Sequence, residues 1–175
     1  MAECITPLIS ADDIRRRVAE LAGQIDKDYA GSPLTVMGIL NGSFIFLSDL
    51  VRQMKTECVI DFIGVESYRD GTAAGELKVL KEPQVSIEDQ CVLVVDDILD
   101  KGNTLQLIHD LLLQGNPRDV RICVMLSKQC QRATQIQADY IGFDVPDAFV
   151  VGYGLDYAGQ YRQLGYVGVI EKDSP

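Results

Sequence analysis

Apolar residues return along this chain in two rhythms, and the switches between them lay out its elements. After Ser10, the residues Ile14, Val18, Leu21, Ala22 and Ile25 recur three or four positions apart, the spacing of one helix face. Ser10 followed by Asp13 resembles a capping box, and Gly31 and Pro33 punctuate the far end, so the pattern predicts a helix over 11–29. Four other stretches are near-continuous apolar runs: LTVMGIL (34–40), CVIDFIGV (58–65), CVLVVDD (91–97) and VRICVML (120–126). Such runs suit strands buried on both faces. Between them, FIFLSDLVRQM (44–54) and TLQLIHDLLLQ (104–114) return to helical spacing, the second with Leu105, Ile108, Leu111 and Leu112 on its apolar face. FVVGYGLDY (149–157) and YVGVI (166–170) close the chain. Strands alternating with helices predict an α/β fold, a mostly parallel twisted sheet covered on both faces. No linker, repeat or low-complexity block interrupts 1–175, which predicts a single domain. In folds of this class ligands bind at the carboxyl ends of the strands.

Composition narrows the class. Of 175 residues, 47% are apolar and 24% charged, the balance of a soluble globular protein. No apolar run approaches the roughly 18 residues of a membrane helix, and MAECITPLISADD lacks the basic region and apolar core of a signal peptide. The five cysteines, Cys4, Cys58, Cys91, Cys123 and Cys130, include no CxxC pair, which points to reduced thiols in a cytoplasmic protein. The single histidine, His109, has no ligand-like neighbour, which argues against zinc. A net charge of −10 argues against broad binding to nucleic acid. It leaves room for a small anionic substrate, since local donors or a metal ion can reverse the field inside one pocket.

The candidate chemistry gathers at the end of one strand. VLVVDDILDKGNTL (92–105) runs from an apolar strand into Asp96, Asp97 and Asp100, then into Lys101, Gly102, Asn103 and Thr104 at a helix start. Unpaired N–H groups there carry partial positive charge, Gly102 lets the backbone approach a ligand, and Thr104 adds a donor. By geometry this is a phosphate cradle, although its spacing is not that of a Walker loop and Gly and Thr also occur in plain turns. Three acids so close together repel one another at the end of a buried strand. Either they are turn formers in a solvated loop, or they face a cation, a sugar diol or a titrating group. Ribose hydroxyls donate well to carboxylates, so a ribose phosphate would satisfy acids and cradle together. Farther along, Arg69 to Gly75 is small, polar and glycine-bearing, which suits either a hairpin tip or a lid.

Four stretches, in order, resemble the type I phosphoribosyltransferase family. VLVVDDILDKGNTL is similar to its phosphoribosyl-pyrophosphate motif, and GILNGSFIFLSDLVR (38–52) to its pyrophosphate loop and following helix. SYRDGT (67–72) matches the start of its mobile loop, about 66–78 here. GFDVPDAFVVGYGLDYAGQYR (142–162) resembles the purine- and metal-binding segment of the hypoxanthine (hypoxanthine–guanine) members. The resemblance implies the family fold, with a small hood from the chain ends, and a purine salvage reaction. A 6-oxopurine would displace magnesium-bound pyrophosphate from phosphoribosyl pyrophosphate, giving IMP or GMP. By matching position Asp100 would be the general base near purine N7. Asp96 and Asp97 would hold the ribose hydroxyls, directly or through Mg2+, and Lys101, Gly102, Asn103 and Thr104 the 5′-phosphate. Leu40, Asn41 and Gly42 would bind pyrophosphate, in a loop that often has a non-proline cis peptide in this family. Ser67, Tyr68 and Arg162 would complete the phosphoribosyl-pyrophosphate site, Arg162 reaching pyrophosphate. Lys128 would donate to the purine 6-oxo group, Phe149 would stack on the ring and Val150 would contact its edge through the backbone. Asp156 would lie by the purine and reach a magnesium ion. The family also implies a homodimer or homotetramer, with small-molecule substrates and no nucleic acid or membrane partner.

The physics runs the same way. A departing pyrophosphate leaves an oxocarbenium-like sugar, which nearby carboxylates stabilise. Magnesium takes oxygen ligands and bridges carboxylates to phosphates, and a closing lid excludes water. Two positions depart from the family pattern: Asn41 stands where a basic residue is common, and Lys101 where Thr or Ser is usual. Taken alone, Lys128 and Arg162 would be solvated charges, Phe149 a core residue, Tyr153 and Tyr157 packing residues, and His109 a residue facing solvent or a subunit. A receiver-type signalling domain is excluded, because too little chain follows VLVVDD. The remaining alternative is a non-catalytic regulator of the same fold that binds nucleotide or RNA.

Overall fold

The computed structural model describes residues 4–67 and 77–171. Most of the expected lid lies outside the described residues, Tyr68 included. The elements in chain order are β1 (Cys4–Ile9), α1 (Ala11–Asp28), β2 (Leu34–Leu40), α2 (Phe44–Gln53), β3 (Cys58–Ser67) and β4 (Leu77–Lys81). β5 (Cys91–Leu99), α3 (Asn103–Leu113), β6 (Asp119–Lys128), β7 (Tyr140–Val145), β8 (Val150–Val151) and β9 (Val167–Glu171) follow.

Local chemistry sets α1. The Ser10 hydroxyl accepts from the Asp13 amide at 3.1 Å and donates to Asp13 Oδ2 at 2.6 Å, so the cap forms as its spacing predicts. Ile14, Val18, Leu21, Ala22 and Ile25 are all buried, as one apolar stripe requires. In α3 the same rhythm buries Leu105, Ile108 and Leu112.

Six strands form the main sheet in the order β4-β3-β2-β5-β6-β7. β3, β2, β5, β6 and β7 are parallel, and β4 is antiparallel to β3. One apolar cluster joins α1 and α2 to one face, through residues such as Leu21, Phe46 and Leu93. The other face packs Leu105, Ile108 and Leu112 of α3 against Val92, Val94 and Val124. From β2 the chain crosses through α2 outward to β3; from β5 it crosses through α3 to β6 on the opposite side. The carboxyl ends of β2 and β5 therefore bound a topological switch point, where the connections part and leave a crevice.

A second, antiparallel sheet, β1-β9-β8, joins the two ends of the chain and forms the expected hood. Three strands were not apparent from the apolar pattern. β1, β4 and β7 lie at sheet edges, where one side of each strand is free of the ladder and polar residues are tolerated. β4 alternates half-buried and exposed residues, and β7 carries Gly142 and Asp144 among its apolar positions. Asp61, nearly buried in β3, draws the chain after β4 back onto the sheet. Burial raises its pKa, but donation from Lys81 Nζ at 2.9 Å and from the amides of Gln84, Phe62 and Val85 wins, holding it well below the usual carboxylate range. No helix among the described residues is long and apolar enough to cross a membrane.

Leu21 has no exposed surface in the α1 stripe. Leu21→Ala is expected to lower unfolding free energy by about 2–5 kcal/mol, read as an earlier urea midpoint with an unchanged slope.

Candidate active site

A cleft of about 840 Å³ opens at the switch point. Leu40 and Gly42 from the end of β2 line one side, and Asp96, Asp97 and the run Asp100–Thr104 line the other. Val65 and Leu77, on the two strands that flank residues 68–76, also face it. One space thus gathers the acids, the phosphate cradle and the pyrophosphate turn expected from sequence.

β2 ends in a tight turn. The Leu40–Asn41 peptide is cis. Ser43 donates its hydroxyl to the Ile39 carbonyl at 2.6 Å, folding the turn under α2. Gly42 packs so closely on the Asp97 carboxylate that a Cβ would collide with it. Asn41 is exposed on this turn but is not part of the cleft wall.

β5 is the central strand, paired with β2 and β6, and its residues from Cys91 to Asp96 are buried. Asp96 is only 7% exposed, and its Oδ1 accepts from the Asp97 amide at 3.0 Å. Burial first, then the charge of Asp97, pushes the Asp96 carboxyl well above its ordinary value. Burial also raises Asp97, against the hydrogen bonds it shares with Asp96 and the Ile98 amide and the pull of the Arg162 guanidinium. After Asp100 the chain turns through Gly102, whose φ of 90° lies in the left-handed region, and starts α3 at Asn103. No side chain caps this helix start, so the first N–H groups of α3 lie at the cleft wall formed by Gly102, Asn103 and Thr104. Lys101 is exposed at the same wall.

Asp100 is held from β6. Lys128 Nζ donates to Asp100 Oδ2 at 2.9 Å and lies 3.6 Å from Asp147 Oδ1. The Lys128 side chain is only 13% exposed, unlike an ordinary surface lysine. Burial works to raise the Asp100 carboxyl, but the bonds from Lys128 and from Cys130 Sγ, at 3.3 Å, outweigh it and hold the carboxyl low. Burial likewise disfavours the Lys128 charge, and Asp100 more than compensates, holding that ammonium above its ordinary value.

Of the remaining expected residues, Phe149, Val150, Asp156 and Arg162 sit in or beside the hood, apart from the cleft wall. Arg162 pairs with Asp156 at 2.7 Å and donates to the Gly154 carbonyl at 2.5 Å, while its charge reaches Asp97. Asp156 Oδ2 also accepts from the Gly159 amide at 2.8 Å. Phe149 is 42% exposed and meets Tyr157 edge-to-face, with centroids 5.4 Å apart. Val150 is buried in β8, opposite Val169. Ser67 ends β3. Tyr153 packs, with its hydroxyl donating to Asp49 at 2.8 Å. His109 is only partly exposed and its Nδ1 is buried, rather than the ring facing solvent freely. Sequence reading missed Cys130, Arg132 and Asp147, which surround Asp100 and Lys128. Cys130 and Arg132 lie in a polar stretch without periodicity, and Asp147 in the turn after β7, so no pattern marked them.

Residues 10–158 match the family model described as the phosphoribosyl transferase domain, and the chain belongs to that family. Among its relatives, the hypoxanthine-guanine phosphoribosyltransferase of Staphylococcus aureus is 42% identical over 167 residues, 95% of this chain and 93% of that protein. The bifunctional protein TilS/HprT of Listeria monocytogenes is 40% identical over 167 residues, 95% of this chain but 26% of its own length. The chain therefore spans about a quarter of that relative. The crystal structure of a hypoxanthine-guanine phosphoribosyltransferase from Bacillus anthracis superposes with a TM-score of 0.90 at 37% identity, covering 97% of this chain and 100% of that one.

The raised pKa of Asp96 has a stability consequence. A carboxyl raised on folding costs nothing below the unfolded value of about 4, where both states are protonated, and costs progressively more as pH climbs toward the folded value. Asp96→Asn is therefore expected to raise the melting temperature at pH 7 by several degrees, roughly 2–4 °C per kcal/mol. The gain should vanish as the pH is lowered to 4, which a calorimetric pH series would show.

Proposed function

We propose that the protein is a hypoxanthine–guanine phosphoribosyltransferase acting in purine salvage. It transfers the 5-phosphoribosyl group of phosphoribosyl pyrophosphate to a 6-oxopurine and releases pyrophosphate. The observation that carries this reading is the sharing of one cleft by two adjacent carboxylates, Asp96 buried and Asp97 half-buried, and an uncapped helix start. A ribose phosphate needs both.

In this reading the amides and hydroxyl of Lys101–Thr104 take the 5′-phosphate, and Leu40, Asn41 and Gly42 take the pyrophosphate. Ser67 and Tyr68 belong to the same substrate's site, and a loop at about 66–78 closes over it. Asp96 and Asp97 hold the ribose hydroxyls and Mg2+. Their chemistry fits the ion: both are oxygen donors whose buried charges a divalent cation would offset. When bound, magnesium neutralises charge developing on the departing pyrophosphate. Asp156 and Arg162, paired in the free protein, part to meet magnesium and pyrophosphate respectively.

Asp100 is the general base. The purine seats against Phe149 and the Val150 backbone and presents its 6-oxo group to Lys128, with Asp156 alongside. A Lys128 that turns to the purine loosens its hold on Asp100, whose affinity for a proton then rises from its depressed starting point. The base thus strengthens when its substrate arrives. Assembly as a homodimer or homotetramer and a cytoplasmic location are part of the proposal.

Mixing hypoxanthine or guanine, phosphoribosyl pyrophosphate and Mg2+ should change the purine absorbance as nucleotide forms. Tight ligand binding without nucleotide would favour a non-catalytic regulator of the same fold. Asp100→Asn should lower kcat by about 10²-fold or more while substrate binding is retained; undiminished kcat would remove its assignment as base. For Lys101→Thr, a KM for phosphoribosyl pyrophosphate raised a few-fold at low salt, with the difference shrinking as salt is added, is expected if the ammonium assists the phosphate. An unchanged KM and salt dependence would leave the ammonium without a role.

A further inference from the structure

The connection from β6 to β7 contains no helix, yet residues 127–134 concentrate on one target, the turn after β5. Lys128 holds Asp100 Oδ2 at 2.9 Å, and Cys130 Sγ donates to Oδ1 at 3.3 Å. Arg132 donates through Nη1 to the Leu99 carbonyl at 2.6 Å and to the Asp100 carbonyl, and through Nη2 to Ser127 Oγ at 3.0 Å. The Ala133 amide donates to the Lys101 carbonyl at 2.9 Å. Side chain and main chain of Asp100 are thus gripped from a single segment.

Resting on the function proposed above, we propose that Cys130 and Arg132 are positioning residues for Asp100. Arg132 fixes its main chain relative to β6, and Cys130 fixes Oδ1, so that Oδ2 is the oxygen that faces the purine. Lys128 cannot serve this purpose throughout, because it leaves Oδ2 to meet the 6-oxo group. Once it leaves, the thiol is the remaining side-chain hold on the carboxylate. A carboxylate tethered at one oxygen keeps its other lone pairs aimed at the incoming proton, and misplacement by about 1 Å is costly in rate. Sulfur is a weak donor, so a hydroxyl can replace it and a methyl group cannot.

The charged and titratable groups around Asp100 are Lys101, Lys128 and Cys130, with Arg132 on its carbonyl and Asp147 behind Lys128. Donation from Cys130 favours the charged carboxylate, so its removal shifts Asp100 upward. The test combines carboxyl-carbon NMR titration of Asp100 in the substrate-free protein with steady-state kinetics across pH. Cys130→Ala is expected to raise the Asp100 titration midpoint and move the acid limb of kcat/KM upward. It should lower kcat about 3- to 10-fold, the rate equivalent of one modest hydrogen bond, with the KM for phosphoribosyl pyrophosphate within two-fold. Cys130→Ser should restore both readouts. Arg132→Lys, which cannot reproduce the forked contacts, should lower kcat with that KM retained. If Arg132→Lys does not fold, Ser127→Ala takes its place by removing one partner of the guanidinium.

An unmoved titration and unchanged kcat in Cys130→Ala, or failure of Cys130→Ser to restore them, would overturn the Cys130 role. Unchanged kcat in the Arg132→Lys protein, or in its Ser127→Ala substitute, would overturn the Arg132 role. Absence of nucleotide formation by the unaltered protein would instead refute the proposed function, and the NMR titration would still read the contact.

Discussion

Asp96 and Asp97 stand near the carboxyl end of the central strand of the sheet, and burial pushes both carboxyls toward protonation. Two adjacent acids placed there work against folding unless something answers their charge. Much of the surrounding architecture bears on that constraint. β5 carries them to the edge between β2 and β6, and the opposite crossovers through α2 and α3 leave the crevice open. Gly42 is bare so that the neighbouring turn can close on Asp97, and Arg162 brings a cation from the hood. In the proposed function, a ligand bearing hydroxyls, phosphates and a divalent ion supplies the rest of the answer.

The three acids of this strand end have different surroundings, and those surroundings divide their chemistry. Asp96 and Asp97 are raised by burial, whereas Asp100, one turn farther out and 43% exposed, is lowered by Lys128 and Cys130. Carboxyls whose proton affinities are pushed apart can take different tasks in one reaction. Here the raised pair suits ligand hydroxyls and a cation, and the lowered one a proton that must be accepted on cue. In the proposed function Lys128 links the two, since the ammonium that quiets Asp100 would also meet the purine.

The hood adds a second set of charges. Its strands come from separate parts of the chain, and beside it Phe149 meets Tyr157 and Asp156 pairs with Arg162, outside the main sheet. The Asp156–Arg162 pair satisfies both charges in the free protein. In the proposed function, substrate binding exchanges one set of partners for another, rather than burying bare charge.

The amino-acid sequence by itself determined the buried strands β2, β3, β5 and β6, the helices between them, the cap at Ser10 and the motif at the end of β5. These are local matters: a side-chain rhythm of two or three to four residues, a cap three residues long, an apolar run that stops at acids. The edge strands β1, β4 and β7 were not legible, because an edge tolerates polar residues that blur the rhythm. Nor was the grouping of Cys130, Arg132 and Asp147 about Asp100 and Lys128, which depends on the polar connection after β6 and the turn after β7 both folding back on the end of β5. His109, expected to face solvent or a subunit, proved partly covered with its Nδ1 buried. Sequence spacing says which residues share a helix face or a strand; only the packing of β5 against β6 decides which oxygen of Asp100 meets which donor.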